Sequence, residues 1–282
     1  MQVEGRVIIC DTIDDVGISI LKKAGLVVSY KPDIEIDELL ASVGDCDVIV
    51  VRSRTKITKT IIDAASKVKI IARVGVGLDN IDTNYAQSRG IKVLNAAEAA
   101  MNAVSELVIG HMLALSRNIP KANDGIKSGR WLKKELVGSE LKGKYLGIVG
   151  VGNIGRNVGR LARCFRMNLI GYDIFPINQD YVREVGMIKT DLKTLLENSD
   201  FVTCHVPLTE YTRHLINSET LSYMKPTAFL INTSRGEIID EESLFRALSE
   251  NKIAGAALDV FEVEPPTNTK LLHLPNIVCS PH

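Results

Sequence analysis

Residues 145–165 read YLGIVGVGNIGRNVGRLARCF, and the interpretation of this stretch decides the fold. An apolar run, YLGIV, leads straight into Gly150, Gly152 and Gly155 at G-x-G-x-x-G spacing, and a helical pattern opens within the motif. Each glycine meets a separate demand: a tight turn after the strand, close backbone approach to a pyrophosphate, and close packing of helix on strand. The helix start then offers free N–H groups and the positive end of its dipole to phosphates. Glycine spacing alone would also suit a plain turn. The next apolar run, NLIGYD, separates the two readings, because it closes on Asp173, about 20 residues beyond the glycines. A carboxylate there accepts from ribose hydroxyls and repels a 2′-phosphate, and no arginine follows in IFPINQ to attract one. The segment predicts a dinucleotide site for NAD, with Gly150, Gly152, Asn153, Ile154, Gly155 and Asp173 as its contacts.

Working outward, short β-branched runs alternate with helical patterns along most of the chain. They are RVIIC, VVSY, DVIVVR, KIIARVG and IKVLN on one side, then NLIGYD, FVTCHV, AFLINT, AGAALDV and NIVCS on the other. Apolar runs without alternation suit parallel strands covered on both faces. Helix start signals stand between them at Thr58, Asp191 and Asp240. The α/β class follows, with doubly wound parallel sheets joined by right-handed crossovers. The alternation stops between Asn95 and Lys144, where AVSELVIGHMLALSR, Pro120 and SGRWLKKELVGSELKGK carry no convincing strand. That interval predicts a first domain over 1–96 and a second over 97–282, with an arm or surface elaboration at about 97–143.

Composition narrows the function classes. The 282 residues carry 34 basic and 34 acidic side chains, so there is no net field to draw nucleic acid or an anionic membrane. No apolar run reaches the roughly 20 residues of a membrane helix, and the N-terminus lacks a signal-peptide pattern. The five cysteines are scattered, without a CxxC pair, and read as buried thiols of a cytoplasmic protein rather than zinc ligands or disulfides.

Ligands of open α/β sheets bind beyond the carboxyl ends of strands, which directs attention to INTSRG (231–236), ALDVFEVEPP (257–266) and CSPH (279–282). These place Arg235, Glu264 and His282 just past predicted strands, with Thr233 and Asp259 beside them. Singly each has an ordinary explanation as a surface charge, a loop acid or a chain end. Jointly, downstream of a nucleotide loop, they suggest an active site. In the first domain Arg52, Ser53 and Arg54 follow DVIVV, and Arg73 precedes Val74, Gly75, Val76 and Gly77. That second glycine pair lacks the third glycine and the helix, so it is a poor pyrophosphate cradle, though its backbone could approach a small anion.

With these motifs in order, the chain resembles the D-2-hydroxyacid dehydrogenases, and phosphoglycerate dehydrogenases most among them. The resemblance is carried by VRSRTKIT (51–58), ARVGVGLDNID (72–82), AVSELVIG (103–110), the glycine loop, HVPLT (205–209), INTSRGEIID (231–240), ALDVFEVEPP and SPH. It implies a substrate-binding domain followed by an NAD domain, Rossmann/flavodoxin-like in fold, with the active site in the cleft between them. It implies a homodimer built through the 97–143 arm. His282 would be the general acid–base, Glu264 would hold the ring and favour its protonated form, and Arg235 would clamp the substrate carboxylate. Asp259 would meet the nicotinamide carboxamide, while His205 and Pro207 would line the nicotinamide pocket. No metal is called for.

The reaction implied is NAD-dependent oxidation of a D-2-hydroxy acid, 3-phosphoglycerate first, as in the opening step of phosphorylated serine biosynthesis. Glyoxylate/hydroxypyruvate or D-lactate reduction is the alternative within the family, and an NAD(H)-sensing corepressor-like protein the alternative outside enzymes. The basic cluster Arg52–Arg54 with Arg73 favours a phosphorylated substrate. Family members continue beyond the position of His282 with a segment and helix that return to the first domain. This sequence is thus a piece of a longer chain or lacks that element.

Overall fold

The computed structural model describes residues 5–96, 99–267 and 270–282. The chain divides into two compact units, residues 1–100 and 101–282. The boundary expected at 96/97 borders residues 97 and 98, which lie outside the described residues.

The first unit alternates strand and helix throughout: β1 (Arg6–Ile9), α1 (Asp15–Lys23), β2 (Val27–Tyr30), α2 (Ile36–Ser42), β3 (Val48–Val51), α3 (Lys59–Ala64), β4 (Ile70–Arg73), α4 (Thr83–Ser88) and β5 (Lys92–Asn95). All pairings are parallel, in the order β2-β1-β3-β4-β5. That is the flavodoxin-like order, which reverses between β1 and β3. The central strands are buried on both faces through Ile8, Ile9, Ile49, Val51 and Ile71, whereas the edge strands β2 and β5 are largely exposed.

The second unit opens with two helices, α5 (Met101–Ser116) and α6 (Ile119–Lys127). Asn118, in the left-handed region at φ 53°, turns the chain between them, and Pro120 sits in the first turn of α6, where its missing N–H is harmless. Then follow β6 (Tyr145–Val149), α7 (Asn153–Cys164), β7 (Asn168–Tyr172), α8 (Gln179–Val185), β8 (Met187–Lys189), α9 (Leu192–Asn198), β9 (Phe201–Cys204), α10 (Ser218–Ser222), β10 (Phe229–Asn232), α11 (Glu241–Ser249), β11 (Gly255–Leu258) and β12 (Ile277–Cys279). The seven strands are parallel in the order β12-β11-β10-β9-β6-β7-β8. The direction of winding reverses between β6 and β9, so the crevice of this sheet opens where those two strands end.

Both units are therefore doubly wound parallel sheets, and the expected apolar runs form their strands. The additional strand, β8, is three residues long at the sheet edge and buries Met187 alone, too little apolar pattern to be conspicuous. Asp191 and Asp240 cap α9 and α11 by accepting from Thr194 and Ser243 N–H, while Thr58 precedes α3 without a side-chain cap. The cysteines depart from expectation. All are free thiols, but only Cys10, Cys46 and Cys204 are buried. Cys164 ends α7 and Cys279 ends the edge strand β12, positions where the sheet no longer covers them. Among the described residues no helix is long and apolar enough to cross a membrane.

Candidate active site

The glycine loop joins β6 to α7 at the winding reversal. Gly150 has φ +93°, and a Cβ there would stand 2.6 Å from the carbonyl oxygen of His205, the residue leaving β9. The position thus excludes a side chain on two independent grounds. At Gly152, the residue before α7, a Cβ would meet nothing within 4 Å, so open space lies where a ligand would approach the backbone. At Gly155 a Cβ would stand 2.1 Å from Gly150 O, so the helix packs on the turn through this glycine. No side chain caps α7, and Asn153 and Ile154 occupy its first turn. Uncapped N–H groups at the head of a twelve-residue helix form an anion site.

Asp173 leaves the end of β7 and holds this loop. Its carboxylate accepts from Val151 N–H at 2.8 Å and from Phe175 N–H at 2.9 Å, and Gly150 N–H donates to Tyr172 O at 2.9 Å. Each oxygen keeps a lone pair for a ligand hydroxyl. On the neighbouring strand, His205 Nε2 lies 3.0 Å from Thr203 Oγ1. Burial pushes the His205 imidazole down to about 4, so it is neutral at any working pH. Pro207 follows on the exposed loop and accepts from Thr212 Oγ1 through its carbonyl.

The loop after β10 is shaped by Asn232, which the sequence reading passed over. This fully buried amide accepts from Ser234 N–H and Oγ–H and donates to Arg235 O at 2.7 Å. The turn so formed leaves Thr233 Oγ1 buried without a hydrogen-bond partner among the described residues. An orphaned buried hydroxyl calls for explanation, and a ligand polar group supplies one. The open face of Gly152, the uncapped helix and this hydroxyl all fit a dinucleotide along the strand ends of the sheet.

Glu264 and His282 are brought together from two loops, and the turn carrying Arg235 packs on the first of these through Gly236. Arg235 lies extended at φ −142°, with Nη1 donating to Ser234 O. Gly236 seats the turn directly on the next loop, since a Cβ there would meet Phe261 C at 1.9 Å and Phe261 O at 2.1 Å. That next loop folds back so that Glu264 Oε1 accepts from Phe261 N–H at 3.1 Å, while Oε2 lies 2.8 Å from His282 Nδ1. A carboxylate at Nδ1 places the ring proton there and leaves Nε2 to exchange a proton with a substrate. Asp259, 9% exposed, accepts from Ser280 Oγ at 2.6 Å.

In the first unit, Arg52 and Ser53 are exposed after β3, and Arg52 makes no side-chain hydrogen bond or ion pair among the described residues. The loop that carries them is fixed by Asp11, which accepts from Arg52 N–H, Thr55 N–H and Thr55 Oγ1, and by Asn80, which donates to Arg52 O and Thr55 O. Neither Asp11 nor Asn80 was a candidate from sequence. Arg54 is engaged within the unit: its Nη2 donates to the carbonyls of Cys10, Pro32 and Ile34, and its Nε lies 3.5 Å from Asp11, so it ties loops together. Arg73 ends β4, next to β3, and its Nη1 lies over Gly75, where a Cβ would come within 2.1 Å of it. Asn95 Nδ2 donates to Val76 O, which holds the Val74–Gly77 loop open.

With this geometry in view, the comparisons decide the family. Residues 109–282 match the family described as D-isomer specific 2-hydroxyacid dehydrogenase, NAD binding domain. The chain belongs to the D-isomer specific 2-hydroxyacid dehydrogenase family. The domain matched is an NAD-binding one, and the glycine loop, Asp173 and Thr233 lie within it. Among relatives, the hydroxypyruvate reductase of Thermotoga maritima is 46% identical over 98% of this chain and 90% of its own length. The D-3-phosphoglycerate dehydrogenase of Methanocaldococcus jannaschii is 44% identical over 98% of this chain and 53% of its own. The chain thus spans about half the length of that dehydrogenase and of others that bear its name. Among solved structures, a glyoxylate reductase from Paecilomyes thermophila superposes with a TM-score of 0.91 at 30% identity, covering 99% of this chain and 88% of its own.

Proposed function

We propose that this 2-hydroxyacid dehydrogenase family member oxidises a D-2-hydroxy acid with NAD, and that the acid is 3-phosphoglycerate, giving 3-phosphohydroxypyruvate at the head of a serine-forming route. The observation that carries the reaction is the contact of Glu264 Oε2 with His282 Nδ1 at 2.8 Å. Bound NAD supplies the hydride acceptor. His282 Nε2 would take the substrate's hydroxyl proton, and Glu264 would keep the ring oriented for it. Arg235 pairs with the substrate carboxylate and polarises the carbonyl that forms. Asp259 and Thr233 hold the cofactor's nicotinamide end, with neutral His205 and Pro207 alongside.

For the phosphate, Arg52, Ser53 and the Val74–Gly77 backbone supply donors, and Arg73 stands over that loop. Two further parts of the proposal concern assembly and place. Leu113, Ile119 and Ile126 line a groove of about 750 Å³ along α5 and α6, and Trp131 and Val137 are exposed farther along the 97–143 arm, which supports pairing of two copies there. Five free thiols fit a reducing cytoplasm. A second reading, reduction of hydroxypyruvate, is favoured by the relative of that name, which this chain covers nearly end to end.

The test is a panel of 3-phosphoglycerate, D-glycerate and D-lactate with NAD, and hydroxypyruvate with NADH, on wild type and Arg52→Ala. Expected is preference for the phosphorylated acid, lost in the variant mainly through KM. Preference for hydroxypyruvate or D-lactate in the wild type refutes the phosphate assignment. NADH binding without turnover of any acid refutes the enzyme.

A further inference from the structure

Helix α5 carries one titratable side chain into the interior, and the reaction just described makes no use of it. His111 is 5% exposed among Val108, Met112 and Leu115, on a helix packed against β10, β11 and β12. Its Nε2 lies 3.0 Å from Ser280 Oγ, and that same oxygen donates its proton to Asp259 Oδ1 at 2.6 Å. Asp259 follows β11 and Ser280 follows β12. Leu258 and Cys279 are register partners, so the two residues leave the sheet side by side. Ser280 N–H also donates to Leu258 O at 3.0 Å.

The tautomer follows from counting protons. A serine hydroxyl has one hydrogen, and here it lies on Asp259, so Ser280 Oγ must accept from the imidazole. His111 therefore carries its proton on Nε2. Burial pushes this imidazole below its ordinary range against the pull of Asp259, so the ring is neutral near pH 7 and Nε2–H is its one donor. Two consequences reach the site. Asp259 has Oδ1 engaged, while Oδ2 makes no hydrogen bond among the described residues and remains an acceptor for an incoming N–H. Ser280 is held through its N–H, its hydroxyl proton and its lone pair, so Pro281 and His282 depart from a fixed point.

We propose that His111 is a positioning residue: through Ser280 it fixes the Asp259 carboxylate for an amide donor of the nicotinamide type and seats the segment that carries His282. The inference rests on the assignment of Asp259 to the cofactor and of His282 to proton transfer. A role in filling space alone would be served as well by methionine, which has similar bulk and no N–H. Glutamine, whose amide nitrogen reaches to about the place of Nε2, would keep the donor.

The test uses the protein with and without ligand. In ligand-free protein, ¹⁵N spectra of the histidine side chains should show His111 as the Nε2–H tautomer with a slowly exchanging proton, and Ser280→Ala should abolish that protection. His111→Met should weaken NADH about fivefold to tenfold, the weight of one buried hydrogen bond, and leave ADP-ribose, which lacks nicotinamide, unchanged. His111→Gln should restore NADH binding to within about threefold. An Nδ1–H tautomer, or wild-type NADH affinity in His111→Met, overturns the proposal. A wild-type protein that binds neither NADH nor ADP-ribose overturns the dinucleotide assignment, and the proposal with it.

Discussion

Gly236 offers the sharpest perturbation of the proposed catalytic group. A methyl added there would lie 1.9 Å from Phe261 C, 2.1 Å from Phe261 O and 2.4 Å from Glu262 N. All three are backbone atoms, so no rotamer change relieves the clash. An ordinary carbon contact is about 3.5 Å, so Gly236→Ala must part the Arg235 turn from the 261–262 backbone by roughly 1.5 Å. Glu264 moves with that backbone, because its Oε1 is tied to Phe261 N–H, and His282 is tied in turn to Glu264 Oε2. Misplacement of a reacting group by about 1 Å costs on the order of 10²-fold in rate. The glycine loop lies on β6, separated from β10 by β9, and should be untouched. The expected result is a kcat lower by about 10²-fold with affinity for ADP-ribose, which reaches only the glycine loop and Asp173, within about threefold of wild type, measured by steady-state kinetics and calorimetric titration. The retained ADP-ribose site reports that the unit is folded. A kcat within threefold of wild type would refute the reasoning, since the loops would then be shown to slide apart without consequence.

Three further outcomes are expected. Asp173→Ala should weaken NAD and narrow its preference over NADP, because the ribose acceptor and the repulsion of a 2′-phosphate vanish together; cofactor titrations read this, and an unchanged NAD/NADP ratio contradicts it. Glu264→Ala should lower kcat by about 10-fold or more with little change in KM, since the His282 ring loses the carboxylate 2.8 Å from Nδ1 that orients it; an unchanged kcat removes Glu264 from that role. His205, held down to about 4 when folded against an ordinary 6.5, takes up its proton more readily when unfolded, so stability falls as pH drops from about 6.5 toward 4, by on the order of 3 kcal/mol in full. His111 is shifted in the same direction and adds to the loss. Denaturant midpoints at pH 7 and pH 4.5 should diverge less for His205→Gln than for wild type, and equal divergence would show that another group governs the acid limb.

How much of this could be read in advance depends on how far each interaction reaches along the chain. Strands such as Val48–Val51 and Phe201–Cys204 were legible because a parallel sheet covered on both faces demands unbroken apolar runs. Met187–Lys189 was not, because an edge strand of three residues with one buried side chain imposes no such demand. Gly150, Gly152 and Gly155 announced themselves because the requirement they meet is local, a turn and a helix start within six residues.

Side chains whose partners are distant in sequence gave no such signal. Arg54 and Arg52 look alike in VRSRT, yet one guanidinium is engaged by the carbonyls of Cys10, Pro32 and Ile34 and the other by none among the described residues. Which arginine is free depends on where the loops after β1 and β2 pass, and only the folded sheet decides that. Asn232 and Gly236 sit inside INTSRG beside the conspicuous Arg235, but their work is to bend the loop and press it on Phe261, so neither residue type pointed to chemistry. His111 is the extreme case, an interior helix residue 169 positions from the serine it contacts. A lone histidine in an apolar helix is ordinarily a matter of packing. What lifts it from that background is the hydroxyl proton already committed to Asp259, which leaves His111 a single way to be satisfied and makes its protonation state testable before any substrate is known.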